Sequence, residues 1–125
     1  MGLVGVSMLL ESCAGSLPLV KATEKEQTLL IPVSKFSEKN NLLVVRSSSL
    51  ENDILLVKNS DGYRALLLKC THEGVGLTPT DKNIVCSAHG STFDFSGKVL
   101  KEPALRPLRQ FTTEIIDDNI IIHLI

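Results

Sequence analysis

The chain has 125 residues, enough for one domain with a hydrocarbon core and too few for two of ordinary size. Hydrophobic residues make up 43% of it, the formal net charge is −1, and there is no Trp and a single Tyr. With neither a basic footprint nor aromatic stacking surfaces, the composition argues against nucleic-acid binding. Three cysteines are too few for a disulfide framework.

From Gly2 to Leu10 the chain is apolar and uncharged, and Glu11-Ser12-Cys13-Ala14-Gly15-Ser16 follows. The run is far shorter than the ~20 residues that cross a bilayer. It reads as the apolar part of an export signal, whose basic residues an upstream start would supply. Leu10-x-x-Cys13 before Ala-Gly-Ser resembles a bacterial lipoprotein box. That resemblance implies a lipid anchor on Cys13 and a place on the periplasmic side of the cell envelope. Ala14 to Gln27 then reads as a tether. Residues 1–27 are thus expected to be signal remnant and tether, and 28–125 the folded domain.

Short β-compatible runs begin at Thr28: Leu29-Leu30-Ile31-Pro32-Val33, Leu42-Leu43-Val44-Val45, Ile54-Leu55-Leu56-Val57 and Ala65-Leu66-Leu67-Leu68. Asn59-Ser60-Asp61-Gly62 predicts a hairpin turn between the third and fourth. Asp117-Asp118-Asn119 does the same between Thr112–Ile116 and Ile120–Ile125, which places His123 as a sheet residue. No window from Thr28 onward carries a three-turn helical stripe. The expected fold is all-β, of antiparallel sheets, with a loop-rich insertion from about residue 66 to 107.

That insertion holds four of the chain's six cysteines and histidines, as Cys70-Thr71-His72 and Cys86-Ser87-Ala88-His89. Thiolates and imidazoles are the ligands of zinc and iron–sulfur sites. Zinc sites of this composition usually pair like ligands, as C-x₂₋₄-C followed by H-x₃₋₅-H. Here each stretch supplies one of each, and the tight C-x-H suits two adjacent metals better than one tetrahedral ion. A zinc-stabilised interaction module stays the competing reading.

The first stretch, Cys70-Thr71-His72-Glu73-Gly74, resembles the C-T-H-x-G of the Rieske iron–sulfur proteins. The second, Cys86-Ser87-Ala88-His89-Gly90-Ser91-Thr92-Phe93-Asp94, is similar to their C-x-x-H-G-S-x-[YF]-D. Ser96-Gly97-Lys98-Val99 and Pro103-Ala104-Leu105-Arg106-Pro107-Leu108 are similar to the continuation in quinol-oxidising complexes. The resemblance implies one 2Fe–2S cluster, with Cys70 and Cys86 on one iron and His72 and His89 on the other. It also implies that the Ser91 hydroxyl donates to a bridging sulfide. Three departures matter. Val75 and Ala88 stand where quinol-oxidising subunits carry a disulfide. Phe93 replaces a tyrosine. The spacer between His72 and Cys86 is short.

Neutral imidazoles in place of two thiolates raise the potential into a class range of roughly −150 to +300 mV. Without the tyrosine hydroxyl, and with the Glu73 carboxylate beside His72, the expected value lies in the lower half. Redox-linked loss of an imidazole proton should make it fall at alkaline pH. Lys98, Lys101, Arg106 and Arg109 offer either a docking patch or a solvated face. The implied function is one-electron transfer with redox partner proteins. The chain is then a membrane-tethered component of a respiratory or periplasmic chain, partnering a cytochrome or quinol-oxidising complex. The alternative is a soluble, cytoplasmic ferredoxin feeding an oxygenase or reductase. No catalytic residues are expected.

Overall fold

Two of the apolar runs, Leu42–Val45 and Ile54–Val57, form strands buried on both faces. A computed structural model describes residues 17–125, so the signal, the lipoprotein box and Cys13 lie outside the described residues. The strands are β1 (Leu19–Lys21), β2 (Thr23–Lys25), β3 (Thr28–Pro32), β4 (Leu42–Arg46), β5 (Ile54–Asn59), β6 (Gly62–Leu67), β7 (Thr78–Pro79), β8 (Ile84–Val85), β9 (Thr92–Phe93), β10 (Val99–Lys101), β11 (Gln110–Ile116) and β12 (Asn119–His123). A single 3₁₀ turn, Val33–Lys35, is the helical structure among them. No helix among the described residues is long and apolar enough to cross a membrane.

Eight strands form one sheet in the order β1-β4-β5-β6-β11-β12-β3-β2. Its pairings are antiparallel except β1 with β4, which is parallel. The two end strands are consecutive in the chain, with Ala22 between them donating its N–H to the Arg46 carbonyl at 3.0 Å. The sheet therefore curls until its edges meet at one bend of backbone. Closure matters because an open edge exposes unpaired N–H and C=O groups. The stretch read as a tether thus contributes β1 and β2 to the sheet.

Both predicted hairpins form. Asn59 pairs Gly62 around Ser60-Asp61, and Ile116 pairs Asn119 around Asp117-Asp118. Asp117 and Asp118 both take positive φ (50° and 65°), as a two-residue loop matching strand twist requires. His123 lies in β12, its Nε2 at 2.6 Å from Glu114 Oε2.

Side chains alternate across β4 and β5. Leu43, Val45, Ile54 and Leu56 join Leu29, Ile31, Ala65, Phe111, Ile120 and Ile122 inside the curled sheet. Leu42, Val44, Leu55 and Val57, with Leu66, face the other way, onto Leu68, Leu77, Ile84, Phe93, Ala104 and Leu108. Burial on both faces explains why these strands read as unbroken apolar runs rather than alternating ones. The second layer is the insertion, whose loops are organised by a four-stranded antiparallel sheet, β10-β9-β8-β7.

Candidate metal centre

Cys70 follows the end of β6, and Cys86 follows β8 directly. Each opens a turn of the same design. Gly74 N–H donates to the Cys70 carbonyl (2.8 Å) and Cys70 N–H to the Val75 carbonyl (2.8 Å). Gly90 N–H donates to the Cys86 carbonyl (2.9 Å) and Cys86 N–H to the Ser91 carbonyl (2.8 Å). Gly74 and Gly90 close these turns at φ of 77° and 82°, a region that L side chains occupy only under strain. No atom lies within 4 Å of the Cβ that a residue at position 90 would carry, so backbone conformation, not crowding, calls for glycine there. His72 is two residues after its cysteine and His89 three, within equivalent turns.

The turns sort the donors by depth. Cys70 and Cys86 are 2% and 1% exposed, unbridged, and part of one apolar cluster. His72 and His89 are exposed, with ring centroids 5.4 Å apart and planes at 79°. Val75 and Ala88, at the positions of the disulfide, are both exposed.

A third loop ties the two turns together. Thr71 Oγ1 donates to the Arg106 carbonyl at 2.7 Å, and Arg106 Nη2 donates back to the Thr71 carbonyl at 3.2 Å. Fully buried Ser91 accepts the Ala104 N–H at 3.0 Å through Oγ. Beyond the second turn, Asp94 Oδ1 accepts from Ser96 N, Ser96 Oγ and Lys98 N at 2.9, 2.6 and 2.9 Å. Burial opposes the Asp94 charge, but these donors outweigh it and hold the carboxyl below its usual range.

Two ties escaped the sequence. Glu73 Oε1 lies 3.4 Å from His89 Nδ1, across the gap between the turns, so its close imidazole contact is not with its neighbour His72 alone. The ligand-capable atoms of His72, Glu73 and His89 all lie within 4.8 Å of one another. No local pattern encodes that juxtaposition. The link from the third loop to Thr71 is similarly a product of tertiary packing.

The donor set fits a sulfide-bridged iron pair. The two thiols are buried without partners, and two imidazoles stand together at the surface. The Ser91 hydroxyl spends its oxygen on Ala104, and no acceptor among the described residues takes its hydrogen. A two-layer β domain offering sulfur from beneath and nitrogen from the solvent side has the form of a mixed-ligand metalloprotein.

The profile of the Rieske [2Fe-2S] domain matches residues 26–112. The chain belongs to that family, whose domain binds a 2Fe–2S cluster. Among curated proteins it is 25% identical over 107 residues to the cytochrome b6-f complex iron-sulfur subunit of Chlorobaculum thiosulfatiphilum. That match covers 75% of this chain and 59% of the relative, so the chain spans about three-fifths of the relative's length. The crystal structure of the plasma membrane Rieske protein PetC3 from Synechocystis PCC 6803 aligns with TM-score 0.55 and 30% identity, covering 66% of this chain and 85% of that one. The complex of oxygenase and ferredoxin in carbazole 1,9a-dioxygenase aligns with TM-score 0.59 and 18% identity, over 80% and 95% of the two chains, a likeness of fold.

Proposed function

We propose that the chain is a one-electron carrier, with Cys70 and Cys86 holding one iron and His72 and His89 the other. When bound, the cluster supplies a site that takes up and releases a single electron. The chain's own residues govern access and energy. Cys70 and Cys86 keep water from the sulfur side, while the exposed imidazoles bring the other side to the surface, where a partner can approach. That split in depth is the observation that carries the reading. Ser91 favours the reduced state by donating its free hydrogen, and Glu73 opposes it through its charge.

Substrate chemistry on a separate mononuclear iron would need two further histidines and a carboxylate. The chain has three histidines, and His123 pairs with Glu114. The set of His72, Glu73 and His89 draws on the same imidazoles as the cluster. The reading is therefore transfer without transformation. The donors and acceptors are redox proteins of a respiratory or periplasmic chain, and Cys13 carries a lipid that holds the domain at the envelope membrane. The likeness to a cytochrome b6-f subunit and to a plasma membrane Rieske protein supports this. A soluble ferredoxin feeding an oxygenase is the second reading, favoured by Val75 and Ala88 where the bridging cysteines would be.

A coulometric redox titration of the reconstituted chain tests the function. One electron per chain, at a potential in the lower half of roughly −150 to +300 mV, is expected. A colourless, redox-silent zinc protein would refute it. Mass spectrometry of chain extracted from membranes separates the two settings: a diacylated Cys13 at the N-terminus supports the first, an unmodified leader the second.

A further inference from the structure

Beside the first ligand turn lies a cleft of about 530 Å³, lined in part by Lys69, Cys70, Thr71, Glu73, Arg106 and Arg109. Its floor is the turn that bears Cys70, and its walls carry three cations against one carboxylate. None of the ion pairs among the described residues involves Lys69, Arg106 or Arg109. Glu73, the one acid of the cleft, is instead turned to His89.

Two of the cations are held in place. Arg106 Nη2 donates to the Thr71 carbonyl at 3.2 Å. Arg109 sits 4.7 Å from the centroid of the Phe111 ring, and its Nη2 donates to the Leu124 carbonyl at 3.4 Å. A guanidinium tethered through one nitrogen keeps its other N–H groups for an incoming anion at reduced entropic cost. Leu105, next to Arg106, is 80% exposed and adds an apolar contact.

This local excess stands out in a chain whose net charge is −1. Asp117 and Asp118 occupy the turn at the far end of β11, the length of a seven-residue strand from Arg109. At about 3.4 Å per residue that is on the order of 20 Å, beyond the Debye length at physiological salt. The three cations at the ligand turn are thus too far from these two carboxylates to be neutralised by them.

The geometry points to this cleft as the docking site for the acidic face of a partner redox protein, with Lys69, Arg106 and Arg109 receiving its carboxylates. The inference rests on the electron-carrier reading and adds the chemistry of the partner. Charge complementarity of this kind acts mainly on the association rate and vanishes with salt. With a 2Fe–2S cluster held at this turn, its oxidation by one electron would be matched by one-electron reduction of the partner's own centre, a ferric haem becoming ferrous in the test below.

The test uses the full, cluster-loaded chain and two forms of one acceptor, mitochondrial cytochrome c and its succinylated, charge-reversed derivative. Stopped-flow oxidation of the reduced chain is followed at low and high ionic strength. The Lys69→Gln/Arg109→Gln variant should oxidise roughly three- to tenfold more slowly with the succinylated form at low salt, with the difference gone near 0.5 M salt. With native cytochrome c the same variant should be no slower than the parent chain. A control with the same charge change elsewhere, Lys35→Gln/Lys58→Gln, should move the succinylated rate by less than about 1.5-fold. Equal effects of the two double variants, or a rate indifferent to salt, would overturn the proposal. A chain that shows no visible bleaching on reduction would instead refute the electron-carrier reading beneath it.

Discussion

The two faces of β4, β5 and β6 look onto interiors built on different terms. Inside the curled sheet, Leu29, Ile31, Ile54, Leu56, Ile120 and Ile122 are fully buried, and hydrocarbon alone fills the space. On the other face, the apolar cluster of Leu55, Leu66, Ile84 and Phe93 ends in two thiols, and most of the strands above it are two residues long. The first interior needs no ligand to close it. On the proposed ligation the second is finished by a ligand, because loops with so few ladder bonds depend on what binds between them. One fold thus pairs a hydrocarbon-filled platform with a cap that the proposed function makes metal-dependent.

The largest effect should come from breaking the cap alone. Cys86→Ser removes a buried sulfur donor and should abolish the visible spectrum, while far-ultraviolet circular dichroism keeps its β signature. Hydrogen exchange should quicken at Gly74 and Gly90 and stay slow at Leu55 and Leu56. Uniform loss of protection would show that the two regions are not separable. Breaking the platform instead should take the cap with it. Leu56→Ala empties a fully buried site in the curled sheet and should cost about 2–5 kcal/mol, read by urea titration.

The platform was legible in the sequence because burial on two faces leaves unbroken apolar runs. Leu42–Val45 and Ile54–Val57 fall within β4 and β5, and Ala65–Leu68 overlaps β6. Strands β1 and β2 left no such trace. They are three residues each and mostly exposed, and their extended form comes from pairing with β4 and β3. In the cap, the cysteines and histidines were legible as candidate ligands by type and spacing. Strands β7 to β10 did not, because two or three residues around Pro79, Ser91 and Gly97 carry no measurable periodicity. Equally invisible was Glu24, whose carboxylate accepts from Ser47 Oγ, Ser48 N, Ser48 Oγ and Ser49 Oγ. These partners lie more than twenty residues away, and they pin the closing strand β2 to the end of β4.

Smaller effects tune the cap without breaking it. Ser91→Ala removes the free hydroxyl hydrogen and leaves the Ala104 N–H unpaired. A loss of about 1–2 kcal/mol at the reduced state corresponds to a potential lower by roughly 40–90 mV for one electron. Glu73→Gln removes a charge facing His89, half screened by solvent, and should raise the potential by about 20–50 mV. Protein-film voltammetry measures both, and shifts of the opposite sign would refute the assigned roles.

The smallest effect belongs to the platform. The serine donors, Ser49 foremost, then Ser48 and Ser47, hold the Glu24 carboxyl down from 4.5 to about 2. Since the folded-state value is the lower one, this clamp stabilises the protein above about pH 4.5 and is lost as pH falls from there toward 2. Glu24→Gln should flatten the acid limb of the stability profile in that window, and an unchanged limb would show that the clamp contributes nothing.

The asymmetry of the iron pair is tested most directly by Mössbauer spectroscopy of the chain reconstituted with isotopically enriched iron. Sulfur donors on one metal and nitrogen donors on the other predict two quadrupole doublets of equal area, with the added electron localised on the histidine-bound iron after reduction. A single doublet, or material free of iron and acid-labile sulfide, would contradict it.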